Sequence, residues 1–288
     1  MARSAPVDGF SLAYDRTGSG RAVVLLHGWP GDRFDYRSVV PLLQGWADVV
    51  VPDLRGFGES DKHDRDPATD YSAAAQARSV LGLIDELGLA EPVIAGYDIG
   101  SRIAQTIAKT TPERVRAMVV SPPVPGPGTR VLSADAQREY WYQSLHRLEL
   151  ASELIDGDAR VVRAYLRHFW SHWSGPEFEP SETELVRLVQ RYAEPGAFTA
   201  SIAWYRAGSG TVARSLAEKT PEPADRISVE TVILWPEHDP LFPQAWGDRV
   251  SDFFSRARVL YLSGIGHFVP LEAPQEFAGA IQNVAGER

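Results

Sequence analysis

Four short apolar runs, with helical patterns between them, dominate the first 125 residues of the chain. The helical patterns include residues 72–87 and 100–109, whereas residues 10–15 alternate in polarity and predict an antiparallel edge strand. Runs that are apolar throughout predict strands buried on both faces. Their alternation with helices predicts an α/β fold, a mostly parallel sheet with helices on both faces. The runs are AVVLLH (22–27), DVVVPD (48–53), PVIAGY (92–97) and RAMVVS (116–121).

This rhythm stops at a linker rich in proline and glycine, PPVPGPG (122–128). The segment that follows is helical in pattern and rich in aromatic residues, and the next strand-like run is VETVILWP (229–236). We therefore predict a core of residues 1–126 and 219–288, interrupted by an inserted helical domain of residues 127–218.

Composition excludes several classes of function. The net charge is −9 and there is no dense cluster of Lys and Arg, so a nucleic acid or an anionic membrane is not expected as a partner. The chain has no cysteine, which removes disulfides, thiolate catalysis and cysteine-bound zinc. No continuous apolar stretch suggests a membrane span or a secretory leader, and we predict a cytoplasmic protein. Oligomeric state is left open.

We expect no metal and no cofactor. His168 and His172 lie four residues apart on a predicted helix, but a matching carboxylate is absent from the pattern.

The most specific motif is Gly96-Tyr97-Asp98-Ile99-Gly100, which lies between a strand and a helix. It has the small-x-nucleophile-x-small form of a nucleophile elbow, a sharp turn that exposes its central side chain at the end of a sheet. The central residue is usually serine, and here it is Asp98. The alternative interpretation is an aspartate that caps the helix N-terminus.

Two later residues favour the catalytic interpretation. His267, in Gly266-His267-Phe268, follows the last predicted strand, where a general base is expected. Asp239 follows the preceding strand and is predicted to orient that histidine, with Glu237 as the rival acid. The order nucleophile, acid, histidine is the one expected of this architecture.

An oxyanion hole is predicted from the segment His27-Gly28-Trp29-Pro30-Gly31, directly after a strand. The backbone N–H groups of Trp29 and Ile99 are its expected donors. His27 is predicted to hold the loop, and a cis bond before Pro30 is a hypothesis. The stretch DLRGFGES (53–60) is assigned to scaffolding.

The motifs HGWPG, DLRGFGESD, GYDIG, the late Asp239 and Gly266-His267 together resemble the epoxide hydrolases of the α/β-hydrolase superfamily. Haloalkane and haloacetate dehalogenases are similar to these. The resemblance covers residues 27 to 267 and implies that the helical insertion forms a cap over the active site. It also implies a small hydrophobic epoxide and water as substrates.

An aspartate nucleophile limits the chemistry. A carboxylate is a poor nucleophile towards an ester or amide but displaces a leaving group from an sp³ carbon, forming an alkyl ester. We predict such an ester on Asp98, hydrolysed by water that His267 and Asp239 activate. Peptidase, lipase and thioesterase activities are therefore disfavoured, although the fold alone would allow them.

Opening an epoxide requires an acid for the ring oxygen, and the resemblance implies two cap tyrosines for this role. Tyr205, in AWYRAG, matches the second family tyrosine. Tyr142, in EYWYQSLHRL, matches the first, with Tyr140 as the next candidate. The remaining residues predicted to contact the substrate are Trp29, Trp141, Tyr140 and Phe268.

Two other functions are weighed against this one. Haloalkane dehalogenases carry tryptophan directly after the nucleophile, where this chain has Ile99. Fluoroacetate-type enzymes carry arginine there and again three residues later, and only the later one, Arg102, is present. The indoles of Trp29 and Trp141 remain as halide donors. The third function is a non-catalytic binding protein, against which the intact elbow, acid and histidine argue.

Overall fold

The computed structural model describes residues 1–286, and its centre is an eight-stranded sheet. The strand order is β1-β2-β4-β3-β5-β6-β7-β8, and all pairs from β4 onwards are parallel. The predicted α/β class is therefore confirmed. The strands are β1 (Ala2–Arg3), β2 (Ala13–Gly18), β3 (Arg21–Leu26), β4 (Ala47–Pro52), β5 (Val93–Gly96), β6 (Ala117–Val120), β7 (Glu230–Pro236) and β8 (Ala257–Leu262).

The predicted edge strand at 10–15 was misplaced. Residues 7–10 form a tight turn closed by backbone hydrogen bonds between Val7 and Phe10, so the strand begins only at Ala13. It pairs antiparallel with β4 as expected, but β1 pairs along its other side, so β2 is not at the edge of the sheet.

Helices follow most strands. Helix α4 packs against β3, β5 and β6, and α13 packs against β5, β6 and β7, which encloses the centre of the sheet. The helices are α1 (Val40–Leu43), α2 (Pro67–Asp70), α3 (Ala73–Glu86), α4 (Ile99–Thr110), α5 (Ala134–His146), α6 (Glu149–Ile155), α7 (Ala159–Trp173), α8 (Glu182–Tyr192), α9 (Ala197–Arg206), α10 (Thr211–Ala217), α11 (Val250–Phe253), α12 (Val269–Glu272) and α13 (Pro274–Gly286). None of these helices has the length and apolar character needed to cross a membrane.

All regular secondary structure between β6 and β7 is helical and includes α5 to α10. This is the region predicted to form the cap. Three ion pairs join α8 to the sheet-containing part: Arg187 lies 2.5 Å from Asp32, Arg191 lies 2.9 Å from Glu59 and Arg37 lies 3.7 Å from Glu184. The carboxylate of Glu218, which directly follows α10, accepts hydrogen bonds from the backbone N–H groups of residues 126 and 128. These bonds join the two ends of the helical segment. The domain limits at 127 and 218 stay a prediction.

Candidate active site

The turn between β5 and α4 presents Asp98 in a strained backbone conformation, with φ 47° and ψ −120°. The neighbouring glycines are required by close approach. A Cβ on Gly96 would lie 2.6 Å from the carbonyl carbon of Gly100, and one on Gly100 would lie 2.0 Å from the carbonyl oxygen of Leu26. The Asp98 side chain makes no capping bond to α4, so the N-cap interpretation is not supported. The local geometry is that of a nucleophile elbow.

The Asp98 carboxylate is held by backbone amides. The N–H of Trp29 donates to Oδ2 at 2.7 Å, and the N–H of Ile99 also favours the charged form of the carboxylate. Burial raises the pKa of Asp98, while the nearby His267 and these two amides oppose that rise. The two donors predicted for an oxyanion hole thus lie at the candidate nucleophile itself.

His267 and Asp239 lie in the loops that follow β8 and β7, and both side chains are almost fully buried. Nδ1 of His267 lies 3.0 Å from Oδ2 of Asp239, whose other oxygen accepts the N–H of Leu241 at 2.9 Å. Because Nδ1 donates to a carboxylate, the lone pair of this imidazole is on Nε2 when the ring is neutral. Nε2 is buried and has no hydrogen-bond partner among residues 1–286. It is therefore free to accept a proton.

The charge around His267 favours its protonated form. Burial by itself lowers the pKa of His267, but the carboxylates of Asp239 and Asp98 outweigh burial, and the pKa is raised from its usual value. An ester on Asp98 would remove one of these negative charges. His267 would then become a weaker base but more fully neutral, the form in which Nε2 accepts a proton.

Glu237, the rival acid, lies elsewhere. Its side chain is 47% exposed and accepts the backbone N–H of Gly264 at 2.9 Å. The carboxylate that contacts His267 is that of Asp239.

Glu272, on α12, was not predicted and holds the loop that carries His267. Its carboxylate accepts the backbone N–H groups of Gly266 at 2.7 Å, Phe268 at 2.9 Å and Gly175 at 2.8 Å. Gly175 belongs to the inserted helical segment, which ties this segment to the loop. Glu272 has no motif around it, and only the folded loop reveals its role.

The HGWPG loop is organised by His27, which is fully buried. Its Nε2 accepts the N–H of Leu54 at 3.0 Å and its Nδ1–H donates to the carbonyl of Gly28 at 2.9 Å, so both nitrogens are engaged in holding the loop. The bond between Trp29 and Pro30 is cis, as hypothesised. In the neighbouring turn, the buried Asp53 accepts N–H groups at 33 and 59, in agreement with a scaffolding role.

Tyr142 and Tyr205 lie together above the indole of Trp29. The Tyr142 ring is stacked on Trp29 at 5.8 Å, and the Tyr205 ring is perpendicular to Trp29 at 6.1 Å. Burial is the largest of the causes that raise the pKa of both hydroxyls well above 10. For Tyr142 the next cause is Asp98, and for Tyr205 the next causes are Tyr142 and then Asp98. Both therefore stay protonated and can donate hydrogen bonds near Asp98.

Two predicted substrate contacts, Tyr140 and Trp141, stay predictions, and both side chains have protein partners. The hydroxyl of Tyr140 donates to the carbonyl of Leu241 and is thereby occupied. Trp141 is 41% exposed and stacks on Phe169 at 5.8 Å. Tyr140 and Tyr142 are both buried, and the charge of Asp98 influences both hydroxyls. Phe268 is buried beside His267, and its contact with substrate stays a prediction.

Further aromatic residues close the site and were not predicted. His146 is fully buried, with its ring 4.8 Å from Trp29 and 4.7 Å from Tyr205. Burial, then the nearby Arg206, lowers the pKa of His146 well below 6.5, so this ring is neutral. The spacing of four residues from Tyr142 on one helix was the available signal, because such residues share a face.

The donors considered for a dehalogenase are engaged to different extents. The indole N–H of Trp29 donates to the hydroxyl of Ser201 at 3.3 Å. The Arg102 guanidinium donates to the carbonyl of Val124 at 3.3 Å. Arg102 is only partly engaged, because its buried Nε has no hydrogen-bond partner among residues 1–286.

The helical histidines do have an acidic neighbour. Nε2 of His172 lies 2.6 Å from a carboxylate oxygen of Glu139 on α5, a partner that the sequence pattern did not reveal. Among residues 1–286, no group of three or more His, Asp or Glu side chains is arranged to hold a metal ion.

Comparison with known proteins places the chain in a family. A family model described as the alpha/beta hydrolase fold matches residues 21–274, and the chain therefore belongs to the α/β-hydrolase fold family. The chain is 28% identical over 284 residues to a soluble epoxide hydrolase of Corynebacterium sp. (strain C12), covering 94% of this chain and 92% of that protein.

Two further relatives support the same placement. A fluoroacetate dehalogenase of Burkholderia sp. is 30% identical over 202 residues, covering 68% of this chain and 64% of that protein. The solved structure of epoxide hydrolase CorEH without ligand superposes with a TM-score of 0.83 at 25% identity, covering 98% of this chain and 97% of that one. The resemblance predicted from the motifs is confirmed: this is an α/β-hydrolase with epoxide hydrolases and dehalogenases among its relatives.

Proposed function

We propose that this protein converts a small hydrophobic epoxide and water into a vicinal diol through an alkyl ester on Asp98. The observation that carries the proposal is that two protonated tyrosine hydroxyls share one buried aromatic site with a carboxylate at a nucleophile elbow. Epoxide opening requires two groups, an acid for the ring oxygen and a nucleophile that attacks a ring carbon. A cytoplasmic location and a reaction without cofactor stay predictions from the sequence.

In the first step, a carboxylate oxygen of Asp98 attacks one epoxide carbon and forms a C–O ester bond. The bond from that carbon to the ring oxygen breaks, and its electron pair stays on the oxygen. Tyr142 or Tyr205 donates a proton to this oxygen as charge develops on it. The product of the step is a β-hydroxyalkyl ester and a phenolate, which regains its proton later in the cycle.

In the second step, Nε2 of His267 takes a proton from water and the resulting hydroxide attacks the ester carbonyl carbon. The N–H groups of Trp29 and Ile99 stabilise the oxyanion, since both already favour the charged form of the carboxylate. Collapse breaks the bond between the carbonyl carbon and the alkyl oxygen, and the diol leaves with the proton from His267. The second proton of the water passes from the Asp98 carboxyl group to the phenolate, which restores the tyrosine and leaves one oxygen of water in the Asp98 carboxylate.

The decisive test uses isotope labelling. Excess enzyme is mixed with styrene oxide in ¹⁸O-water for one turnover, and the diol and the peptide containing Asp98 are weighed. Unlabelled diol with label in the peptide is the expected result. Labelled diol would mean that water attacks the epoxide directly, and it would remove Asp98 as nucleophile.

Hydrolytic dehalogenation is the second candidate, supported by the dehalogenase relative and by the same ester chemistry. The engaged indole N–H of Trp29 favours the epoxide over the halide. Halide release from haloacetates or haloalkanes, without any diol formed from epoxides, would reverse this preference.

The two tyrosines give a prediction of their own. Tyr205→Phe and Tyr142→Phe are each expected to slow ester formation by about 10²-fold, because each change removes a proton donor to the leaving oxygen. Tyr140→Phe is the matched control, since its hydroxyl binds the carbonyl of Leu241. Single-turnover kinetics measure ester formation directly. A loss with Tyr140→Phe larger than with Tyr142→Phe would exchange the two assignments.

The pKa of His267 predicts how the second step depends on pH. His267 must be neutral to accept a proton, so ester hydrolysis should rise about tenfold per pH unit below its pKa and level off above it. The loss of the Asp98 charge in the ester lowers this pKa relative to that in the free enzyme. Following hydrolysis of the preformed ester from pH 5 to 9 tests the sign. A rate that falls with rising pH would contradict the role of His267.

A further inference from the structure

The side chain of Gln143, the residue after Tyr142 on α5, accepts one hydrogen bond and donates another. It is only 6% exposed. Its Oε1 accepts the backbone N–H of Val212 at 3.1 Å, and its Nε2 donates to the hydroxyl oxygen of Tyr142 at 3.0 Å. A backbone N–H can only donate, so the amide oxygen has to face Val212. The NH₂ group must then face Tyr142.

This orientation restricts the proton of Tyr142. A phenolic O–H lies in the plane of its ring and has two orientations there, one on each side of the C–O bond. A hydroxyl oxygen that accepts the N–H of Gln143 cannot direct its own proton along the same line. The proton is left to point away from Gln143.

Other aromatic rings and the charge of Asp98 surround Tyr142. Its ring is packed among Trp29 at 5.8 Å, Trp173 at 5.2 Å and Tyr205 at 5.6 Å. Asp98 is the charged group with the largest influence on this hydroxyl. The N–H of Gln143 also opposes the rise in the pKa of Tyr142 that burial causes. The same hydrogen bond would stabilise the phenolate left after proton transfer.

We propose that Gln143 is a positioning residue that keeps the proton of Tyr142 directed at the epoxide oxygen during ring opening. The inference rests on the proposed function. Gln143 acts through Tyr142 and touches no reacting atom itself. Its sequence position gives no hint of this, because the role depends on α10 supplying the N–H of Val212.

Two substitutions separate positioning from support of the fold. Gln143→Glu has nearly the same shape and keeps an acceptor for Val212, but its carboxylate would accept the Tyr142 proton. Gln143→Met removes both hydrogen bonds and leaves the phenol free to rotate. If Gln143 is a positioning residue, ester formation should fall about tenfold with Gln143→Met. It should fall about 10²-fold with Gln143→Glu, the same loss as with Tyr142→Phe. A structural role predicts the opposite order, because Gln143→Glu preserves more of the native contacts.

A double-mutant cycle excludes an effect of the new charge on Asp98. In the Tyr142→Phe background, Gln143→Glu should cause little further loss, since the group through which it acts is gone. Gln137→Glu puts the same charge on the exposed face of α5 and should leave ester formation near the wild-type rate. Ester hydrolysis should change little in Gln143→Met, because His267 and Asp239 are untouched.

The measurement is single-turnover ester formation and ester hydrolysis, with thermal melting of each full-length variant. Gln143→Glu at the wild-type rate, a greater loss with Gln143→Met than with Gln143→Glu, or additive losses in the cycle would each overturn the inference. If Gln143→Glu does not fold, a wild-type rate in Gln143→Met overturns it and a tenfold loss confined to ester formation supports it. A wild-type enzyme that opens no epoxide overturns the proposed function as well.

Discussion

Asp98→Asn is expected to reduce diol formation by at least about 10³-fold, the largest loss among the substitutions considered. The amide has the size of the carboxylate but is not a nucleophile towards an epoxide carbon. Burial is the main influence on the Asp98 carboxyl and opposes its charge, so the neutral side chain should not destabilise the fold. Diol release over many turnovers and a thermal melt are the two measurements.

The control for this variant is chemical. An asparagine at a strained, buried turn can deamidate to aspartate, so the mass of the peptide is checked before and after the assay. Turnover in a sample with no deamidated peptide would show that Asp98 is not the nucleophile. A wild-type protein that binds epoxide but never turns over would instead point to the non-catalytic binding protein.

His267→Gln is expected to stop the cycle after its first step. Asp98 can still open the epoxide, but no base activates water, so the ester accumulates to one equivalent while steady-state turnover falls by about 10³-fold. Intact-protein mass should increase by the mass of the substrate, and fragmentation should locate the adduct on Asp98. The free Nε2 of His267 is the structural reason for this expectation.

Glu237→Gln is the matched control for the acid that supports His267. Its carboxylate is half-exposed and bonds to Gly264, so this change should leave both steps nearly unaffected. Asp239→Asn, in contrast, removes the charge that contacts Nδ1 and should slow ester hydrolysis more than ester formation. Rapid ester breakdown in His267→Gln, with no burst, would contradict the assignment of the base.

Much of the candidate site was predictable because its geometry is local. The small residues around Asp98 are needed by one tight strand-to-helix turn, so the motif reports that turn directly. Asp239 and His267 follow successive strands, and parallel strands bring their carboxyl ends to the same edge of the sheet. The edge strand was less predictable, because the turn at residues 7–10 interrupts a pattern that resembles a continuous strand.

Residues 140–142 show what a local pattern leaves undecided. Three aromatic residues in succession on α5 are equivalent by composition, and only the docking of that helix decides that Tyr142 faces Trp29 while Tyr140 binds Leu241. The choice between Glu237 and Asp239 was of the same kind. Two carboxylates two residues apart differ only in which one the fold brings to His267.

The sequence by itself determined the α/β class, the helical insertion and the elbow at Asp98, because strand burial and tight turns depend on neighbouring residues. Only the tertiary structure decided the direction of each side chain between β6 and β7. The same is true of the anchoring of the His267 loop by Glu272 and of the hydrogen bond from Gln143 to Tyr142. The physical reason is that these contacts join segments far apart in the chain. Their geometry depends on how the helices pack, and the periodicity of a single segment contains no information about that packing.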